Sequence, residues 1–132
     1  MSKSIGDALT IASAALGNDP SDRRDAALLL GHATGLSHSQ LIARPETLIC
    51  AQQHKQLQEL IEQRRLGQPM AYLLGTKAFW DLDFKVTPDT LIPRPETELL
   101  IEIILSQPHT GPKTLIDLGT GSGIIAATIA QA

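Results

Sequence analysis

Glycine alternates with hydroxyl-bearing residues in the segment Asp117–Gly123, which reads Asp-Leu-Gly-Thr-Gly-Ser-Gly. Apolar residues precede and follow it, so the pattern predicts a strand over residues 114–118, this glycine loop, and a helix from residue 124 to residue 132. Glycine has no Cβ, which lets the backbone take positive φ and lets a ligand approach it closely. The helix N-terminus behind the loop presents free amide groups. The segment therefore predicts a site for a nucleoside-bearing cofactor.

Two classes of cofactor fit this loop. The G-x-G-x-x-G pattern of dinucleotide enzymes fails where isoleucine occupies position 124, but a pattern starting at Gly121 finds the alanine that relaxed forms accept. The acidic residue Asp117 favours the methyltransferase pattern, in which it orders the loop and the amino-acid end of S-adenosylmethionine. A glycine turn that binds nothing is the third interpretation. We favour the methyltransferase interpretation. The loop residues expected to bind the cofactor are then Asp117, Gly119, Thr120, Gly121, Ser122 and Gly123.

The first half of the chain, residues 1–68, has the apolar periodicity of helices. Starting and stopping signals predict four helices, which begin near Ser4, Asp19, Ser37 and Cys50 and end near Gly17, Gly35, Pro45 and Gly67. The fourth helix should bury Leu57, Leu60 and Ile61. No catalytic constellation of side chains is visible in this region, which we interpret as an all-α bundle.

After residue 69 the pattern changes. Alternating polar and apolar residues from 79 to 86 predict a β-hairpin. Phe79 and Trp80 are expected in its core, with a cofactor-pocket mouth as the alternative. The next helix is expected to bury Leu99, Leu100, Ile103 and Ile104. A loop over residues 109–113 should lead into the 114–118 strand, which is apolar enough for a central parallel strand.

Composition excludes several classes of function. The net charge of −3 argues against a protein whose main task is to coat nucleic acid, and the paired arginines Arg23–Arg24 and Arg64–Arg65 are interpreted as solvated helix faces. The four histidines are scattered, so no metal site is expected. The single cysteine, Cys50, is expected to be a half-buried structural thiol in a reducing compartment. With no visible secretory signal or membrane-spanning run, we expect a cytoplasmic monomer that binds neither membrane nor nucleic acid directly.

Four blocks of sequence occur in a recognisable order and spacing: Gln68–Gly75, Phe79–Val86, Leu91–Glu98 and Asp117–Gly123. Together they resemble the peptide chain release factor glutamine methyltransferases. The resemblance implies transfer of a methyl group from S-adenosylmethionine to the side-chain amide of the glutamine in the Gly-Gly-Gln motif of bacterial class 1 release factors.

The resemblance also implies a multi-domain fold. Residues 1–68 would be an all-α helical bundle that docks the release factor, and residues 69–92 a β-hairpin connection. Residues 93–132 would be the first strand, loop and helix of a Rossmann-like α/β methyltransferase domain, which we expect to be truncated.

The roles of individual family residues can be assigned only to positions of this sequence that match the family motifs. Residues 119–123 would contact the cofactor and Asp117 would support the loop. Arg94, in a Pro-Arg-Pro-Glu-Thr-Glu stretch, would pack near the cofactor pocket, or alternatively make a structural ion pair with an acidic helix. Trp80 and Asp81 stand where the family more often has an aromatic residue followed by glycine. The family's Asn-Pro-Pro-Tyr motif is absent from these residues, so no catalytic residue is assigned and the chain is expected to be inactive by itself.

The sequence leaves three alternatives to a release factor methyltransferase open. The first is a sister methyltransferase that acts on a glutamine of a large-subunit ribosomal protein, which the Pro-Glu-Thr-Glu stretch after Arg94 disfavours. The second is an adenine methyltransferase acting on nucleic acid, which the net acidity and the helical first domain disfavour. The third treats residues 1–68 as a release-factor-binding module only.

Overall fold

Two compact units divide the chain, Met1–Leu74 and Gly75–Ala132. A computed structural model describes residues 3–108 and 110–132. Residues 1, 2 and 109, the last of which begins the predicted loop over 109–113, lie outside the described residues. The predicted division into 1–68, 69–92 and 93–132 stays a prediction.

The first unit consists of helices, and the four predicted ones are confirmed. The helices are α1 (Ile5–Leu16), α2 (Pro20–Thr34), α3 (His38–Ala43), α4 (Ala51–Arg65) and α5 (Met70–Leu74). Helix α5 was not predicted, because a helix this short has no apolar periodicity to reveal it. It follows Pro69, whose carbonyl accepts a hydrogen bond from the Leu73 amide at 3.2 Å, and it packs on α2 and α4.

Local side-chain caps set where these helices begin. The Ser4 hydroxyl accepts a hydrogen bond from the Asp7 amide at 3.1 Å, at the predicted start of the first helix. Three later helices open with reciprocal capping boxes, formed by Asp19 with Asp22, Ser37 with Gln40, and Cys50 with Gln53. The expectation of a half-buried Cys50 is wrong: the thiol is exposed, because its position at a surface helix start turns the sulfur toward the Gln53 amide, 3.5 Å away.

Helix α2 is the centre of this unit, since α1, α3, α4 and α5 all pack against it. The core is formed by Ile5, Ala8, Ala12, Ala26, Leu29, Leu30, Ala33, Leu41, Ile49, Leu57, Leu60 and Ile61. The predicted buried face of α4 is therefore confirmed. Arg64, interpreted as part of a solvated pair, instead donates through Nε to Asp25 Oδ2 at 2.9 Å, which links α4 to α2.

The second unit combines a small sheet with two helices. Its elements are β1 (Thr76–Phe79), β2 (Leu82–Lys85), α6 (Thr97–Ser106) and α7 (Ile124–Gln131). The strands are antiparallel with Phe79 opposite Leu82, which confirms the hairpin. Phe79 is buried beside Ile101 and Ile124, and its ring meets the edge of Phe84 at a centroid distance of 6.3 Å. The helix-rich fold with a small sheet is confirmed, whereas the Rossmann-like domain is not.

The predicted strand over residues 114–118 is not formed. A strand needs a hydrogen-bonded neighbour, and the only sheet among the described residues consists of β1 and β2. Ile116 and Leu118 are 77% and 91% exposed, so this apolar run is also not buried as a central strand would be.

The predicted buried face of α6 is wrong for three of its four residues, and the fourth, Ile104, is half-buried. Leu99, Leu100 and Ile103 are exposed, whereas Ile101 is fully buried and Leu105 packs beside the same cluster. The reason is that α6 contacts α7, and this contact selects the stripe that contains residues 101 and 105. Apolar residues occupy both sides of the helix, so the sequence alone did not distinguish the covered side.

Candidate cofactor site

The glycine loop, residues 117–123, is a chain of left-handed turns placed directly before α7. Gly119, Gly121 and Gly123 have φ values of 71°, 55° and 78°. A residue with a Cβ pays roughly 1–2 kcal/mol in this conformation. The alternation of glycine in the sequence is therefore required by the backbone path.

The loop is open on its outer side. A Cβ built on Gly119 or Gly121 would find no heavy atom within 4 Å, so these glycines are not needed to avoid a clash within the protein. The Gly123 amide donates to the Thr120 carbonyl at 2.8 Å, and the Gly123 carbonyl accepts from the Ala127 amide at 2.9 Å. These bonds join the loop to α7 and leave the backbone of residues 119–121 accessible to a ligand.

Asp117 supplies an unsatisfied acceptor beside this backbone. Its Oδ2 atom is buried and has no hydrogen-bond partner within residues 3–108 and 110–132. Buried polar atoms are nearly always paired, because an unpaired one loses its hydration without compensation. The atom therefore fits a ligand that brings an N–H or O–H donor to the start of the loop.

The start of α7 adds donors of its own. Gly123 occupies the N-cap position and makes no side-chain cap. The first-turn amides of a helix have no partner within the helix, so they are available to a ligand or to water. The site thus combines a carboxylate acceptor at one end with backbone donors at the other.

Arg94 is not part of the glycine loop. Its side chain is exposed, and its carbonyl accepts a hydrogen bond from the Thr97 amide at 3.1 Å, which opens α6. The structural ion pair weighed for Arg94 is not formed with any described residue. No hydrogen bond between the described atoms joins Arg94 to the glycine loop, so its cofactor role stays a prediction.

The hairpin turn contains a feature that the sequence reading missed. Trp80 has a φ of 54°, and its amide donates to the Glu98 carboxylate at 2.8 Å. Two-residue hairpin turns usually have glycine or asparagine at positive φ. A tryptophan at this position was therefore the one sign in the sequence that another contact must hold the turn. Trp80 lines an open cleft with Thr128 and Gln131, on the later turns of α7. None of residues 117–123 lines this cleft, and of Phe79 and Trp80 only Phe79 is fully buried.

The part of the chain that the structure describes contains no group of three or more metal-ligating side chains. Within the same residues, no helix combines the length and apolarity needed to cross a membrane.

Comparison with known sequences gives one consistent result. Residues 7–75 match the family model described as the PrmC N-terminal domain. The release factor glutamine methyltransferase of Escherichia coli (strain K12) is 45% identical over 84% of this chain and 40% of its own length. The Coxiella burnetii protein of the same name is 49% identical over 82% of this chain and 39% of its own. For the Vibrio cholerae protein the identity is 42% over 99% of this chain and 46% of its own. The chain thus spans less than half the length of these relatives.

Proposed function

The chain belongs to the family of release factor glutamine methyltransferases, and we propose that it carries the partner-docking and cofactor-binding portions of such an enzyme. The proposed reaction moves a methyl group from S-adenosylmethionine to the glutamine side-chain amide in the Gly-Gly-Gln motif of bacterial class 1 release factors. The match of residues 7–75 to the PrmC N-terminal domain and the names of the relatives support this proposal.

The observation that carries the cofactor proposal is the buried, unpartnered Asp117 Oδ2 at the start of an open glycine turn. S-adenosylmethionine has an amino group and ribose hydroxyls, which are the donors that this oxygen lacks. The open backbone of Gly119 and Gly121 lets the ligand approach without meeting a side chain. When bound, the cofactor supplies an electrophilic methyl group on a positively charged sulfur.

The same carboxylate disfavours the dinucleotide alternative. A dinucleotide places a pyrophosphate at this kind of loop, and the half-buried Asp117 carboxylate beside it would bring like charges together. Asp117 therefore supports a cationic or neutral ligand over a phosphate. Arg94 is retained as a cofactor-binding residue on the family resemblance alone.

Methyl transfer requires catalytic groups beyond those that bind the cofactor. An amide nitrogen is a poor nucleophile, so its alignment with the methyl carbon is the main catalytic task. The Asn-Pro-Pro-Tyr motif that the resemblance assigns to this task does not occur in the 132 residues. We propose that the chain binds but does not methylate, and methyl transfer to a release factor by the chain alone would contradict this part.

A release-factor-binding module is the second candidate, because residues 7–75 match the family's N-terminal domain and the helical unit has a hydrophobic core of its own. Calorimetric titration of the whole chain with a class 1 release factor tests docking. Binding of the release factor in preference to a large-subunit ribosomal protein supports the proposal. Preference for the ribosomal protein would instead favour the sister enzyme, and no binding to either protein would contradict docking.

The cofactor site is tested by titrating the chain with S-adenosylmethionine and, separately, with NAD. Asp117→Asn removes the charge while keeping the shape, and it should weaken S-adenosylmethionine binding roughly tenfold or more, because a hydrogen bond to a charged acceptor is stronger than one to a neutral acceptor. Asp89→Asn is the matched control, since Asp89 is exposed in the same unit and should leave binding unchanged. Equal binding by both variants, or tighter binding of NAD, would reject the assignment.

A further inference from the structure

We propose that Glu98 is a positioning residue, whose carboxylate holds the hairpin turn in a conformation that Trp80 would not keep by itself. This inference does not depend on the proposed methyltransferase function. It concerns the Pro-Arg-Pro-Glu-Thr-Glu stretch, residues 93–98, of which only Arg94 is a candidate cofactor-binding residue.

The turn conformation is unfavourable for its residue. Trp80 and Asp81 form the two-residue connection between β1 and β2, and Trp80 has a φ of 54°. Positive φ is unfavourable for a bulky side chain and persists only where the surroundings enforce it. Glycine would adopt the same conformation without strain.

The enforcing contact comes from α6. The Trp80 amide donates to Glu98 Oε1 at 2.8 Å, and both side chains are half-buried. A hydrogen bond to an ionised acceptor is stronger than one between neutral groups. The indole of Trp80 also packs beside the buried cluster of Phe79, Ile101 and Ile124. The turn is thus held from two sides, by a carboxylate on its backbone and by apolar contacts on its side chain.

The other glutamate of the stretch provides a contrast. Glu96 is exposed and makes no side-chain cap to α6. Both glutamates complement the positive end of the α6 dipole, so a dipole effect alone would give them the same importance. The contact to Trp80 is what distinguishes Glu98, and it connects the Arg94 segment to a turn 18 residues earlier in the chain.

Hydrogen exchange of the whole chain, followed by NMR, tests the assignment at the Trp80 amide. Glu98→Ala should lower the protection of this amide roughly tenfold to a hundredfold. Glu98→Gln keeps an acceptor oxygen and should restore most of the protection. The matched control Glu96→Ala should change it by less than about twofold. Because Trp80 is the only tryptophan, its fluorescence should shift to longer wavelength in Glu98→Ala alone.

A glycine background separates positioning from general stabilisation. In Trp80→Gly the turn no longer needs enforcement, so adding Glu98→Ala should leave the protection of the β1–β2 amides within about twofold. If Glu98→Ala unfolds the unit when Trp80 is present but not in the glycine background, the proposal also holds. Equal protection in Glu98→Ala and Glu96→Ala would overturn it. An equal loss of β1–β2 amide protection with and without the tryptophan would also overturn it. So would an unprotected Trp80 amide in the wild-type chain.

Discussion

The two units of the chain differ in how many hydrophobic side chains they bury. Among the described residues, the buried hydrophobic cluster of the helical unit has twelve members, whereas that of the second unit has three, one of them on the hairpin. The second unit also leaves Leu115, Ile116 and Leu118 exposed and contains the unpaired Asp117 oxygen. The comparison indicates that the first unit buries the larger core, whereas the second leaves more of its apolar and polar groups without partners among the described residues.

The largest expected effect lies in the core of the helical unit. Leu29 is fully buried on α2, and Leu29→Ala should lower the free energy of unfolding by about 2–5 kcal/mol, because it removes apolar contacts and leaves a cavity. Urea denaturation measures the change. Leu66→Ala is the control, since Leu66 is 77% exposed and should shift stability by less than about 0.5 kcal/mol. Equal losses would break the comparison.

A matched pair of glycines compares the two units directly. Gly35, the C-cap of α2, and Gly119, in the glycine loop, have φ values of 73° and 71°, and neither has a heavy atom within 4 Å of a built Cβ. Alanine at either position should cost roughly 1–2 kcal/mol of backbone strain. Only Gly119→Ala should weaken binding of S-adenosylmethionine, as measured by calorimetry. A similar loss of binding in Gly35→Ala would show that the effect is not local.

Ion pairs of the helical unit should differ in strength. Asp25, which pairs with Arg64 at 2.9 Å, has a side chain only 18% exposed, whereas Lys55 and Glu59 pair at 3.9 Å and are largely exposed. Asp25→Asn should lower the free energy of unfolding by about 1 kcal/mol, and Glu59→Gln by less than about 0.5 kcal/mol. Urea denaturation at low and high salt would check both. A larger effect at Glu59 would contradict this ranking.

The smallest effect is a pH dependence at the start of α2. The Ser21 hydroxyl, followed by the Asp22 amide, donates hydrogen bonds that lower the pKa of Asp19 below 3.8. A lowered pKa in the folded state means that the stabilisation is complete above the unfolded pKa and is lost as pH falls through the folded value. The wild-type chain should therefore lose stability relative to Asp19→Asn below about pH 3.8. Parallel pH profiles of the two proteins would contradict this cause.

Features that depend on neighbouring residues in the sequence were predictable. The caps at Ser4, Asp19 and Ser37, the stop at Gly35 and the hairpin all follow from short-range chemistry. For the candidate site, the glycine spacing predicted the left-handed loop, although its cofactor remains a proposal.

Features that depend on distant partners were not predictable. The buried stripe of α6 is selected by α7, and the 114–118 run lacks a strand to pair with among the described residues. The bond between Glu98 and Trp80 spans 18 residues, and no local pattern in the sequence identifies such a pair.

The most direct test of the central claim maps ligand binding onto the glycine loop of the chain by NMR. Adding S-adenosylmethionine should shift the amide signals of Gly119, Gly121 and Gly123 and leave those of Gly35 and Gly67 unchanged. An equal concentration of NAD should shift none of them. Loop signals that move with NAD but not with S-adenosylmethionine, or that move with neither, would contradict the assignment of residues 117–123 as a methyl-donor site.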